Sequence, residues 1–237
     1  MASIPAGDVK RGFSLKDIAL VAISLGAIVI AVWYVIGQFQ PVRYSFEIPD
    51  AVLESNQDNI TAEQLLDLPL VDEQGQPVSL RERQNSQHLV IVFTRGSMAA
   101  VKPADRGPQL PNIPNVCPYC SSQASGIASL MTEFTKEQAQ VLLVFPVTEL
   151  AQNADAATFL KSTVPASNPP PFPVLLDLKL QAVEQLGLRE HLARPASFII
   201  DKAGDLRFAY VAQKGSADRP SGGELLRRIK QLNTANP

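Results

Sequence analysis

The chain has 237 residues, 46% of them hydrophobic and 19% charged, with a formal net charge of -2. That length suits one ample domain plus accessory segments. A balance without basic excess argues against a nucleic-acid partner.

Residues 1–17 read as a cytoplasmic N-terminal segment. From Ile18 the run IALVAISLGAIVIAVWYVIG carries no formal charge over about 20 residues, enough for a helix to cross the hydrocarbon core of a bilayer. It reads as a transmembrane anchor over 18–38. Lys10, Arg11 and Lys16 precede it, while Glu47, Asp50 and Glu54 follow Arg43. The positive-inside bias therefore keeps the N-terminus cytoplasmic and sends the C-terminal domain to the periplasmic or extracytoplasmic side of a single-pass membrane protein. Trp33 and Tyr34 suit an interfacial belt. A cleaved signal peptide would have a shorter apolar region ending at a small-x-small site, and GQFQPVRY offers a poor one.

Residues 39–67 read as a stalk with a short helix near Thr61–Leu66, capped by Thr61. The domain proper is expected over 68–237. In LVDEQGQPVSL, Gln74-Gly75 separates two short apolar stretches, as in a hairpin. HLVIVFT, from His88, is a continuous β-branched run of the kind buried on both faces of a sheet. Thr94-Arg95-Gly96 reads as a strand end turning on glycine. An insertion, 97–116, holds four prolines.

The elements then alternate. A helix is expected from Pro118 to about Lys136, with Ile127, Leu130, Met131 and Phe134 as its core stripe. There follow a strand in QVLLVFPV, a helix in NADAATFLKST, a strand in FPVLLD and a helix in KLQAVEQLG. Strands in ASFIID and LRFAYVAQ are joined by the turn Asp201–Asp205 as an antiparallel edge hairpin, and GGELLRRIKQL is a last helix. The fold class is α/β, a mixed sheet with helices on both faces.

Both cysteines of the chain lie in Cys117-Pro118-Tyr119-Cys120. Proline at the first helical position puts Cys117 at or beside the N-cap, where unpaired N–H groups and the helix dipole favour a thiolate. Cys117 is thus the exposed, acidic nucleophile. Cys120, one turn in and more buried, can resolve a mixed disulfide formed on Cys117. A zinc site would want four ligands, which this pair with His88 and His191 does not fill, so no metal is expected. A structural disulfide closing so small a loop would stabilise little.

The run LVIVFTRG, the CPYC motif, FPVLLDLKLQAVEQLGL and RPASFIIDKAGDLRFAY together resemble the thioredoxin-like superfamily over Leu68 to Leu232. The similarity is to its redoxin branch, which includes membrane-anchored periplasmic thiol-disulfide oxidoreductases and the alkyl hydroperoxide reductase/thiol-specific antioxidant proteins. The resemblance implies a cis proline at Pro195, with Arg194 and Ala196 flanking a groove for partner peptides and with Pro118 and Tyr119 beside the sulfurs. Two departures stand out. The insertion separates the strand from the CxxC, and the buried acid of the relatives has no counterpart in HLVIVFTRG.

The expected function is disulfide exchange with extracytoplasmic proteins, needing no cofactor beyond the Cys117–Cys120 dithiol/disulfide. Its partners would be protein thiols and disulfides, the bilayer through 18–38, and a membrane electron donor or membrane complex. A peroxiredoxin-like peroxidase is the alternative, but the P-x-x-x-(T/S)-x-x-C loop is absent, since Leu110 and Pro114 occupy its positions, and Pro195 stands where peroxiredoxins carry arginine. A non-catalytic thioredoxin-fold subunit of a membrane complex is a third reading, against which the intact CPYC weighs.

Overall fold

The run from His88 to Phe93 forms a strand in which every residue is buried, as its unbroken β-branched character predicts. The computed structural model describes residues 48–57, 59–97, 117–157, 172–190, 193–213 and 218–235. The anchor expected over 18–38, the insertion beyond Ser97 and the second half of the NADAATFLKST helix lie outside them. Among the described residues no helix is long and apolar enough to cross a membrane.

Among the described residues seven strands make one sheet: β1 (Leu70–Val71), β2 (Pro77–Val78), β3 (His88–Phe93), β4 (Ala139–Val147), β5 (Val174–Leu178), β6 (Ala196–Ile200) and β7 (Leu206–Val211). Their order is β2-β1-β5-β4-β3-β6-β7. The central β3, β4 and β5 are parallel, while β6 on β3, β7 on β6 and β1 on β5 are antiparallel. The mixed α/β sheet expected from the sequence is therefore present, and the Gln74-Gly75 hairpin joins β1 to β2 with Gly75 at φ +81°.

The helices are α1 (Ala62–Leu66), α2 (Leu80–Gln84), α3 (Pro118–Ser129), α4 (Met131–Lys136), α5 (Gln181–Gln185) and α6 (Gly222–Ala235). Because side chains alternate along a strand, β3 feeds two cores. Val90 and Val92 join Ile127, Phe134, Leu225 and Ile229 from α3, α4 and α6. Leu89, Ile91 and Phe93 join Leu65, Leu80 and Val183 from α1, α2 and α5. Each such burial stabilises by about 1.5–3 kcal/mol before chain entropy is counted. Where α6 starts, it lies so close to α3 that a Cβ on Gly222 would come within 2.9 Å of the Gly126 carbonyl carbon.

Two expectations need correction. The single helix from Pro118 to Lys136 is two, because Leu130, at φ -108° and ψ 6°, ends α3 and precedes α4. Just before the break, the Ser129 hydroxyl donates to the Gly126 carbonyl at 2.7 Å, a local bond that competes with the helical ladder. Ile127 and Phe134 are fully buried, whereas Leu130 and Met131 only lean on that core.

The second correction concerns the stalk. Its described part packs on the domain: α1 buries Leu65 and Leu66 behind a Thr61/Gln64 capping box. Asn56 bonds β7 through its backbone N–H to the Ala209 carbonyl at 3.0 Å and through its side chain to both backbone groups of Val211 at 2.9 Å. The Arg228 guanidinium donates to the Leu53 carbonyl and sits 4.1 Å from the centre of the Phe208 ring.

Candidate active site

Cys117 is the N-cap of α3, at φ -65° and ψ 121°, and Pro118 is the first helical residue. The spacing thus carries both sulfurs to the helix N-terminus, next to the C-terminal end of β3. Both are free thiols. Cys120 is 2% exposed and Cys117 only 8%, so the open nucleophile expected at Cys117 is instead largely covered. It shares a cluster with apolar residues of the sheet, with Tyr119 half-buried against it.

Burial alone would raise both thiol pKa values, yet the two diverge. Cys117 is lowered to about 5, chiefly because the Cys120 thiol donates a hydrogen bond to it. Burial opposes this, and the charge of Arg219, the Cys120 backbone N–H and the charge of Arg95 add to the lowering. Cys120 moves well above the ordinary thiol value, first through burial and then through its bond to Cys117. One sulfur is a ready anion and the other its proton donor.

Cys120 is gripped from two sides. The Arg95 backbone N–H donates to its Sγ at 3.3 Å, and Arg219 Nη1 donates to the same Sγ at 3.2 Å. Arg219, 3% exposed, also reaches Gln123 Oε1 at 3.4 Å. Gln123 is held in turn through its Nε2, which donates to the Pro220 carbonyl at 2.8 Å and to Ser197 Oγ at 3.4 Å.

The AhpC/TSA family description matches residues 110–209, from before the CPYC to within β7. A solved structure of peroxiredoxin 6 from Arenicola marina is similar over 70% of this chain and 71% of its own, with a TM-score of 0.51 at 15% identity. The fold is thioredoxin-like. The resemblance drawn from LVIVFTRG, CPYC and PASFIID is borne out at that level. Two more solved structures align with the chain. One is a secreted Mycobacterium tuberculosis disulfide oxidoreductase homologous to E. coli DsbE, at 13% identity over 72% of this chain and 98% of that one, with a TM-score of 0.48. The other is the Xanthomonas campestris bacterioferritin comigratory protein, at 20% identity over 78% and 99%, with a TM-score of 0.47. The sequence matches none of the curated proteins.

The residues that the resemblance set around a groove are unevenly placed. Pro195 is buried directly before β6, its carbonyl accepting from the Ala212 N–H at 2.9 Å. The Arg194 guanidinium turns to the Gly187 carbonyl at 3.1 Å. Ala196 buries its side chain in the core on the sheet face opposite the cysteines. The next residue, Ser197, takes the cysteine side instead and meets Gln123.

Arg219, Gln123 and Ser197 went unread in the sequence, and Thr94-Arg95-Gly96 was read chiefly as a strand end, although its Arg95 N–H meets Cys120. Arg219 lies 99 residues from Cys120, in a loop before α6 where no periodicity points inward. The missing buried acid was the available hint that something else attends Cys120. Among the described residues no group of three or more His, Cys, Asp or Glu is arranged to hold a metal.

Proposed function

We propose that the chain is a membrane-anchored thiol-disulfide oxidoreductase exchanging disulfides with extracytoplasmic proteins, Cys117 attacking and Cys120 resolving. The observation that carries this reading is the contrast between the two sulfurs, Cys117 lowered to about 5 and Cys120 raised beside it. Thiolate character makes Cys117 the attacking group at neutral pH. Its attack on a partner disulfide forms a mixed disulfide and releases one partner thiolate. Cys120 then attacks the Cys117 sulfur, the Cys117–Cys120 bond forms, and the partner leaves with both electrons. Run backwards, the same steps oxidise a partner dithiol.

The uncharged run over 18–38 and the basic residues before it support anchoring with the domain on the extracytoplasmic side. A membrane electron donor, or a membrane complex, would then complete the cycle. Resistance to alkaline extraction and labelling of an engineered external thiol test the anchor.

The chemical reading is tested by equilibrating the chain with glutathione or dithiothreitol buffers and counting free thiols. Cycling at a potential near or below roughly -270 mV makes it a reductant fed from the membrane; near roughly -120 mV it oxidises secreted proteins. A pair that never cycles ends the reading. The AhpC/TSA match favours a second reading, a peroxidase in which the Cys117 thiolate takes one peroxide oxygen, releases water or alcohol, and condenses with Cys120 to a disulfide. Fast peroxide consumption lost in Cys117→Ser would establish it.

A further inference from the structure

A buried guanidinium facing a thiol pair is costly unless a negative charge answers it. Arg219 spends Nη1 on Cys120 Sγ and Gln123, and among the described residues its Nε and Nη2 find no hydrogen-bond partner. The two carboxylates within five residues of it in sequence have other partners. Asp218 accepts from the Tyr210 hydroxyl and the Gln213 N–H, and Glu224 is paired with Arg227 and Arg228. The groups acting on Cys120 are Cys117, the Arg219 charge and the Arg95 backbone N–H. The Arg95 side chain also bears on Cys117.

We propose that Arg219 is the positioning residue of the resolving step, holding the Cys120 sulfur and stabilising it as a thiolate once Cys117 is tied up in a mixed disulfide. This inference rests on the disulfide-exchange reading.

Charge is then conserved around the cycle. In the dithiol the Cys117 thiolate answers Arg219. In the mixed disulfide Cys117 is neutral, so its opposing influence on Cys120 disappears while the guanidinium and the Arg95 N–H remain. Cys120 loses its proton to solvent, attacks Cys117, and the partner thiolate leaves and takes up a proton, so atoms and charge balance. Only the intramolecular disulfide leaves Arg219 with no anion. The cation therefore disfavours that state and raises the potential, biasing the pair toward oxidising its partners, by the rule that a stabilised reduced form makes a stronger oxidant.

The test compares wild type and Arg219→Gln in the full chain, both checked for folding, by glutathione equilibration and by the pH profile of partner release from a mixed disulfide on Cys117. In Arg219→Gln the equilibrium is expected to shift at least about tenfold toward the disulfide, equivalent to about 30 mV, and the release profile to move to higher pH. A variant that only loosened packing would move neither. If the glutamine chain does not fold, Arg219→Lys is read in the same buffers; its shorter cation loses the contact to Cys120, and the equilibrium is expected to shift the same way by about threefold. An unchanged equilibrium and profile in a folded variant, with wild type cycling, overturns the role of Arg219 alone. A wild type that never cycles overturns the exchange reading and this inference together.

Discussion

A Cβ on Gly96 would lie 2.3 Å from the carbonyl oxygen of Pro146. Gly96 has φ +82° and follows the residue whose N–H donates to Cys120, so the close pass of this loop over β4 also aims a donor at the buried sulfur.

Gly96→Ala is therefore expected to cost more than the strain of a left-handed alanine, about 1–3 kcal/mol, because the backbone must also retreat from Pro146. Urea unfolding measures that loss. Withdrawal of the Arg95 N–H should slow resolution by Cys120 in the variant that remains folded.

The lowered Cys117 thiol couples stability to pH. Its folded pKa, about 5, lies below the ordinary value of 9.0, so the stability it supplies is fully present above 9 and is lost as pH falls through 5. Cys120, raised, acts oppositely: its contribution is present below the ordinary thiol value and lost as pH climbs past it. Between pH 5 and 9 the reduced chain should gain stability by at most about 1.4 kcal/mol per pH unit. Unfolding curves at several pH values under reductant should show this slope, and Cys117→Ser should flatten it. Iodoacetamide should alkylate Cys117 at half its maximal rate near pH 5.

Asp177 is fully buried at β5 and accepts the Ala182 and Val183 N–H groups at 2.9 Å each, capping α5. Burial raises its pKa while those N–H groups pull the other way. Asp177→Ala strands two buried donors and should cost about 2–4 kcal/mol, and Asp177→Asn, which keeps an acceptor, about half that. Hydrogen exchange at 181–185 should accelerate first.

Glu224, its side chain 2% exposed, holds Arg227 and Arg228, and Arg228 carries the Leu53 carbonyl. Glu224→Ala leaves Arg228 half-buried without its counter-ion and should cost about 3–5 kcal/mol. Limited proteolysis should then cut near residues 50–57 before the rest of the domain.

These contacts explain what could be read from the residues. β3, the Gly75 hairpin and the edge hairpin at Asp201–Asp205 were legible because each is written in a few adjacent residues: a β-branched run, a turn glycine, an aspartate whose Oδ1 accepts the Ala203 and Asp205 N–H groups. The placement of Cys117 at the N-cap, with Cys120 buried one turn in, was legible from Pro118 and the spacing. The break at Leu130 was not, since one Ser129 hydroxyl bond accompanies it within otherwise helical residues. The packing of 48–67 was not either, because Asn56 finds its partner 155 residues away. Arg219 escaped for the same reason: a charged residue in a polar loop ordinarily faces water, and only the fold turns this one inward.

Ser55 and Asn56 occupy the outer backbone groups of β7 at Ala209 and Val211, and at the opposite margin β2 is two residues long and begins with Pro77. Among the described residues neither margin offers a length of free backbone to an incoming strand. A polypeptide docking on these edges would accordingly need something other than β-augmentation, and crowded copies of the domain find on them no ready template for zipping together into aggregates.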